Sequence, residues 1–146
     1  MFRGNHPTRV DEKGRLKLPA EFKRRVDEIY GTQFYITSKD GREAEIYPLK
    51  EWEKIEQKLA AIPDMTPAKR KFLDRVSYYG QMAEMDAQGR VLVPQILRDA
   101  AKVNGDVVVF GMQTYLKVTN RDEFVKQMEQ APMTAEDQQA LASFGL

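Results

Sequence analysis

The sequence contains no cysteine and a single histidine, His6. The absence of cysteine excludes a disulfide framework and thiolate metal ligands, and it fits a reducing compartment such as the cytoplasm. With so few nitrogen and sulfur ligands, the chain has no His/Cys/Asp cluster at the spacing of a metal site. We therefore expect no metal and no cofactor.

Long apolar runs are missing as well. No stretch approaches the roughly 18 apolar residues of a membrane span, and the region after Met1 lacks the apolar block of a signal peptide. The remaining composition is ordinary for a globular protein, with 42% hydrophobic, 31% charged and 10% aromatic residues. We expect a cytoplasmic protein without a membrane partner.

Motifs of catalysis are also lacking. The serines Ser38, Ser77 and Ser143 lie in no nucleophile motif. There is no Walker loop and no G-x-G-x-x-G sequence, and the carboxylates are scattered along the predicted helices. We therefore expect a protein that is not an enzyme, with no catalytic residues and no small-molecule substrate.

The net charge of +1 is small, but the charges are unevenly distributed. Residues 1–25 carry eight cationic and three acidic side chains, whereas residues 120–146 carry two cationic and five acidic ones. Such a separation indicates either a basic surface at one end of the molecule or an unevenly charged solvated surface.

One pattern occurs twice, 75 residues apart. The segments 10–19 and 85–94 both read apolar-Asp-x-x-Gly-Arg-apolar-x-apolar-Pro. The similarity continues beyond the motif, since Phe22 corresponds to Leu97, and it defines a duplicated unit of about 45 residues. A unit of this size buries a poor core alone, so we expect the two units to pair and share one core.

Each unit is predicted to fold as β-β-α-β-β, which gives an α+β protein. In the first turn Asp11 caps the following amides and Gly14 supplies a positive φ. The alternation that follows places Leu16 and Leu18 on the buried face and the intervening cations on the other. A helix then begins at Pro19, with an apolar stripe formed by Phe22, Val26 and Ile29.

The predicted domain limits are 5–53 for repeat 1, 54–78 for a helical spacer, 79–124 for repeat 2 and 125–146 for a C-terminal helical tail. The helices after the first repeat carry four large apolar residues that pairing of the repeats leaves uncovered, and we expect contacts between identical chains to bury them: Trp52, Ile55, Leu59 and Phe72.

The motif has a purely structural interpretation, in which Asp11, Gly14, Asp86 and Gly89 build turns and the arginine pairs with the aspartate. That interpretation leaves the cations of the first copy unexplained: Arg3, Arg9, Lys13, Arg15 and Lys17. A two-stranded ribbon with cations on one face fits the major groove of DNA, and arginine suits bidentate contact with phosphate or guanine. The pattern therefore favours nucleic-acid binding.

The two Asp-x-x-x-Arg copies, each followed by an apolar-x-apolar-Pro strand and a helix, resemble the MraZ family of bacterial transcriptional regulators. The Met-Phe-Arg-Gly start and the segment Tyr47-Pro48-Leu49-x-x-Trp52 are similar to that family too. The resemblance implies a small β-barrel of two tandem AbrB-like swapped-hairpin repeats with a helical spacer. It also implies ring-shaped homo-oligomers that bind double-stranded DNA at promoter direct repeats of the division and cell-wall gene cluster, on the nucleoid.

The two copies differ in charge, since Lys13 corresponds to Gln88 and Lys17 to Leu92. The DNA-contacting role implied by the resemblance carries over to Arg15 and Lys13. Arg90 is a further candidate, although its pair with the aspartate has a structural interpretation in which Leu92 faces a neighbour. Two alternatives stay open: a ring-forming structural protein whose basic face meets acidic protein partners, and an AbrB-type antitoxin, which is usually a single-repeat chain.

Overall fold

The computed structural model describes all of residues 1–146, which form eight strands and six helices. The first half comprises β1 (Asn5–Val10), β2 (Arg15–Lys17), α1 (Ala20–Ile29), β3 (Gln33–Thr37), β4 (Ala44–Pro48) and α2 (Leu49–Ala60). Helix α3 (Pro67–Tyr78) connects it to the second half, which comprises β5 (Gln81–Glu84), β6 (Arg90–Leu92), α4 (Gln95–Ala101), β7 (Gly105–Gly111), β8 (Leu116–Thr119), α5 (Arg121–Gln130) and α6 (Ala135–Ala142). None of these helices has the length and apolar character needed to cross a bilayer.

The eight strands form one antiparallel sheet in the order β5-β3-β4-β8-β7-β1-β2-β6. The two end strands, β5 and β6, follow each other in the chain and are joined by the second turn, where the Asp86 amide donates to the Arg90 carbonyl at 2.9 Å. The sheet therefore curls into a nearly closed barrel. The prediction of an α+β protein built on a small barrel is confirmed.

The two halves exchange strands in a symmetric way. Strand β1 pairs with β7 and its counterpart β5 pairs with β3, while β2 pairs with β6 and β4 with β8. The pseudo-twofold axis passes near the pair Leu16–Val91, two residues at equivalent positions of the repeat. At the strand ends, the Leu18 amide donates to the Gly89 carbonyl and the Val93 amide to the Gly14 carbonyl, both at 2.9 Å. Each hairpin is thus completed by the other half, as in a swapped-hairpin domain.

The barrel interior is one apolar core of 20 buried residues drawn from both halves. Leu16, Val26, Val93 and Leu97 are among those with no exposed surface. The core confirms that the repeats share a single interior, because neither half would bury these side chains without the other.

The apolar stripe predicted for α1 is wrong at Ile29, whose side chain is 49% exposed. Phe22 and Val26 do face the core. The helix ends at Ile29, and the next residue, Tyr30, packs on the core instead, where its ring stacks on Phe2 at 6.0 Å.

A second, smaller apolar cluster lies outside the barrel and holds α2 and α3 against the sheet. Trp52 is 4% exposed and stacks on Tyr35 at 4.7 Å, while Ile55 and Phe72 pack around it. The expectation that the spacer helices need a partner outside the chain is therefore wrong for these residues, because aromatic side chains of β3 and β4 cover them. The predicted repeat limits at residues 53 and 124 fall inside α2 and α5.

Candidate nucleic-acid interface

The first turn is organised by the carboxylate of Asp11. Its Oδ1 accepts hydrogen bonds from the amides of Lys13 at 3.0 Å and Arg15 at 2.9 Å, and its Oδ2 accepts one from Arg15 Nε at 2.7 Å. Gly14 takes a positive φ of 86°, which closes the turn. The aspartate therefore caps the turn and also fixes the arginine side chain.

The second turn repeats this geometry atom for atom. Asp86 Oδ1 accepts from the amides of Gln88 and Arg90, both at 2.9 Å, and Oδ2 accepts from Arg90 Nε at 2.8 Å. The structural interpretation of the Asp–Arg pair thus applies to both copies and does not separate Arg15 from Arg90.

Hydrogen bonding keeps both aspartates ionised. The backbone N–H of Arg15 lowers the pKa of Asp11, and its side chain adds to the effect; the backbone N–H and side chain of Arg90 do the same for the pKa of Asp86.

In each arginine only Nε–H is used, so the four N–H donors of the terminal nitrogens have no partner in the protein. The carboxylates hold two guanidinium groups in fixed positions with most donors free.

The two motifs meet on one surface, because β2 and β6 pair directly. Lys17 lies opposite Arg90 and Arg15 opposite Leu92, while Leu16 and Val91 between them point inward with 0% and 1% exposure. We call the outward cations of these strands and the first turn, Lys13, Arg15, Lys17 and Arg90, the basic ribbon. Reasoning from sequence treated the motifs as two separate hairpins and missed this adjacency.

Helices of the opposite half support each turn. A Cβ added to Gly14 would meet the guanidinium group of Arg98 on α4, and one added to Gly89 would lie 2.8 Å from Cδ of Lys23 on α1. Both neighbours are the far ends of flexible side chains that can move aside, so glycine is needed at these two positions for its positive φ, 86° at Gly14 and 77° at Gly89. Lys23 and Arg98 occupy equivalent positions of the repeat, 75 residues apart. This correspondence is visible in the sequence, but neither residue was predicted to belong to the site.

Arg9 lies at the border of the basic ribbon. It is on β1, one register step beyond the Val10–Leu16 pair, which places it next to Lys17. Its Nη1 lies 3.2 Å from Oδ1 of Asp106, with both side chains largely exposed. The carboxylate partly offsets the charge of Arg9.

Arg3 is not part of the basic ribbon. It precedes β1 at the end remote from the turn, and the six residues of β1 span about 20 Å at roughly 3.3 Å per residue. Arg3 lines a cavity with Arg24 and Arg25 of α1 instead. The single basic face expected from sequence is therefore divided into two.

Comparison with known proteins gives a family for this arrangement. The model of a family described as "MraZ protein, putative antitoxin-like" matches residues 1–75 and 80–144. A protein of Acidobacterium capsulatum named transcriptional regulator MraZ is 77% identical over 146 residues, covering 100% of both chains. Proteins of the same name are 51% identical in Koribacter versatilis, over 100% of both chains, and 34% identical in Thiobacillus denitrificans, over 90% of this chain and 88% of the relative. The chain belongs to the MraZ family.

Proposed function

We propose that this protein is a sequence-specific DNA-binding transcriptional regulator that acts without an enzymatic step. The observation that carries the proposal is the basic ribbon, in which Lys17 and Arg90 face each other on the outer side of the β2–β6 ladder. The names of the relatives, transcriptional regulator MraZ, support the same function.

The ribbon has the form of an antiparallel two-stranded β-ribbon, which the major groove of duplex DNA admits. Arg15 and Arg90 each keep their terminal guanidinium donors free, and such a fork contacts guanine or phosphate in a bidentate way. Because Asp11 and Asp86 already fix these side chains, little conformational entropy is lost on binding. Lys13, Lys17 and Arg9 would contact phosphates around them.

The target we propose is a set of short direct repeats in the promoter of the division and cell-wall gene cluster, bound on the nucleoid. One β-ribbon of three-residue strands covers few base pairs and would bind weakly alone. Several copies of the chain in one ring-shaped homo-oligomer, each on its own repeat, would gain affinity through effective concentration, by about 10²-fold or more.

Exposed apolar residues of the second half are suited to such self-association. Met82 and Leu92 are 52% and 56% exposed and line one cavity of about 330 Å³. Their equivalents in the first half are Pro7 and Lys17. The first half thus has a cation, Lys17, where the second has the exposed Leu92, and this difference suits a head-to-tail contact in which the apolar residues of the second half meet a further copy of the chain.

The proposal is tested by selecting duplexes from a random-sequence pool and measuring the affinity of the selected site. Enrichment of a repeated motif supports the regulator, and log affinity should fall with log salt with a slope of about 0.9 for each phosphate contacted. Absence of DNA binding at low salt, together with binding of acidic proteins, would favour the structural alternative. Binding of a toxin protein without DNA binding would favour the antitoxin alternative.

A further inference from the structure

We propose that Arg3, Arg24 and Arg25 form a phosphate-binding site distinct from the basic ribbon. The three side chains line a cavity of about 240 Å³ between the N-terminal segment and α1. At about 30 Å³ per water molecule, this volume holds a phosphate group together with some of its hydration. The inference goes beyond the proposed function, since anion binding in this cavity does not require DNA on the ribbon.

The backbone at Arg3 is held in place by the residue before it. Phe2 is 2% exposed, and its N–H and C=O both bond to Gln113, at 2.8 and 2.9 Å. The Phe2 ring packs edge-on against Phe22 at 5.7 Å. A Cβ on Gly111 would clash with the backbone nitrogen of Arg3, so the segment fits tightly against β7. Arg3 therefore starts from a fixed backbone, although it is near the end of the chain.

Helix α1 supplies the other two cations. Phe22 and Val26 face the core, which fixes the rotation of the helix and leaves Arg24 and Arg25 on the side that borders the cavity. The neighbouring Lys23 differs, because its Nζ lies 2.8 Å from the carboxylate of Asp27.

The cavity has an excess of positive charge. None of its three arginines lies within 4.0 Å of a carboxylate, the limit for an ion pair. Two glutamates, Glu21 and Glu28, also line the cavity, and His6 Nε2 lies 3.2 Å from Glu21. Both carboxylates keep their charge, so three unpaired guanidinium groups face two carboxylates, and the excess of one positive charge favours the entry of an anion.

The chemistry of the anion follows from the guanidinium groups. A guanidinium presents planar N–H pairs that match two oxygens of one group, and three of them exceed what a single carboxylate can accept. A phosphate offers enough oxygens for more than one fork. Two sources share this chemistry: the backbone of a DNA duplex that continues past the ribbon, and a free phosphorylated small molecule.

The first experiment measures binding of inorganic pyrophosphate to the full-length protein by titration calorimetry. The double variant R24Q/R25Q should bind it at least about tenfold more weakly, because charge-assisted hydrogen bonds are lost. Arg70→Gln removes an exposed cation from α3 and should change nothing. Arg3→Gln leaves α1 intact and provides a second test if the double variant does not fold. The site is refuted if the wild type does not bind pyrophosphate at millimolar concentration, or if R24Q/R25Q binds it as tightly as R70Q.

The second experiment separates the two sources, using a selected DNA site and the same site extended at both ends. If R24Q/R25Q weakens binding of the extended duplex only, the phosphate belongs to the DNA backbone. If it weakens pyrophosphate binding and leaves both duplexes unaffected, the ligand is a free phosphorylated molecule. A failure of the proposed function would appear separately, either as no binding of any duplex by the wild type or as unchanged DNA affinity in the ribbon variant Lys17→Gln.

Discussion

Lys17 and Arg90, which belong to different halves of the chain, lie directly opposite each other on the outer face of the β2–β6 ladder. The neighbouring pair on the same two strands, Leu16 and Val91, points to the opposite side, and both side chains are buried in the core. The same two strands therefore serve the interior with one face and the candidate DNA interface with the other.

Arg15→Ala should weaken binding of a selected duplex by about 1–3 kcal/mol and relax base preference at one position, while the melting temperature stays nearly the same. Arg90→Ala should cost less affinity, since the first hairpin also carries Lys13 and Lys17 where the second has Gln88 and Leu92. Fluorescence anisotropy at fixed salt compares the two variants. A larger loss in a folded Arg90→Ala protein would reverse this ranking.

Acid should weaken the two turns. The pKa of Asp11 and that of Asp86 are lowered in the folded protein, so their contribution to stability is complete above about pH 5 and is lost as the pH falls through the folded-state values, below the usual value of about 3.9. In Asp11→Asn the cap geometry can remain but the titration is removed.

The D11N variant should therefore melt at a lower temperature than the wild type at pH 7, and the difference should shrink at pH 3. Asp99→Asn is a suitable control, because Asp99 is exposed on α4 and forms no ion pair. A difference between D11N and wild type that stays constant with pH would contradict the role given to the carboxylate.

Burial rather than residue type should decide the effect of truncation on β2 and β6. Leu16→Ala removes a side chain with no exposed surface and should lower the free energy of unfolding by about 2–5 kcal/mol. Leu92→Ala, on the facing strand but 56% exposed, should change the free energy of unfolding of the unassociated chain by less than about 0.5 kcal/mol. Denaturation in urea at a concentration where the chains do not assemble measures both variants; similar losses would contradict the assignment of Leu16 to the buried face and Leu92 to the outer face.

Assembly should depend on the apolar side chains of the second half. The double substitution Met82→Ser/Leu92→Ser should shift the protein to smaller species at micromolar concentration, measured by light scattering after gel filtration. Met65→Ser removes an apolar residue that is 81% exposed in the α2–α3 connection and should leave the mass unchanged. A wild-type protein that is monomeric and binds a single repeat with undiminished affinity would contradict the ring proposal.

The sequence predicted the local structure well where one short-range pattern decides it. The alternation from Arg15 to Leu18 correctly separates the core face from the outer face, and Asp11 with Gly14 correctly indicates a turn. The residues of one hairpin do not determine which other strand it pairs with. The exchange of strands between the halves was therefore expected only from the resemblance to a family.

Contacts between residues distant in the sequence were harder to predict. The burial of Trp52 by Tyr35 depends on how α2 folds back over the sheet, and no periodicity encodes that. Arg3 and Arg9 are close in sequence, but the extended β1 strand separates them in space. A count of cations along the first 25 residues therefore could not show that they belong to two different surfaces. The DNA contacts themselves stay a prediction.

The crossed hydrogen bonds from Leu18 to Gly89 and from Val93 to Gly14 have a further consequence. A single repeat could complete its hairpin only by meeting a second chain, and an assembly of two identical chains would carry the same residue at both symmetry-related positions. Joining the repeats in one polypeptide removes that constraint, so Lys17 can stand on one side of the axis and Leu92 on the other. Tandem duplication thus lets a symmetric architecture carry unlike residues at its two symmetry-related positions on the outer face of the ladder.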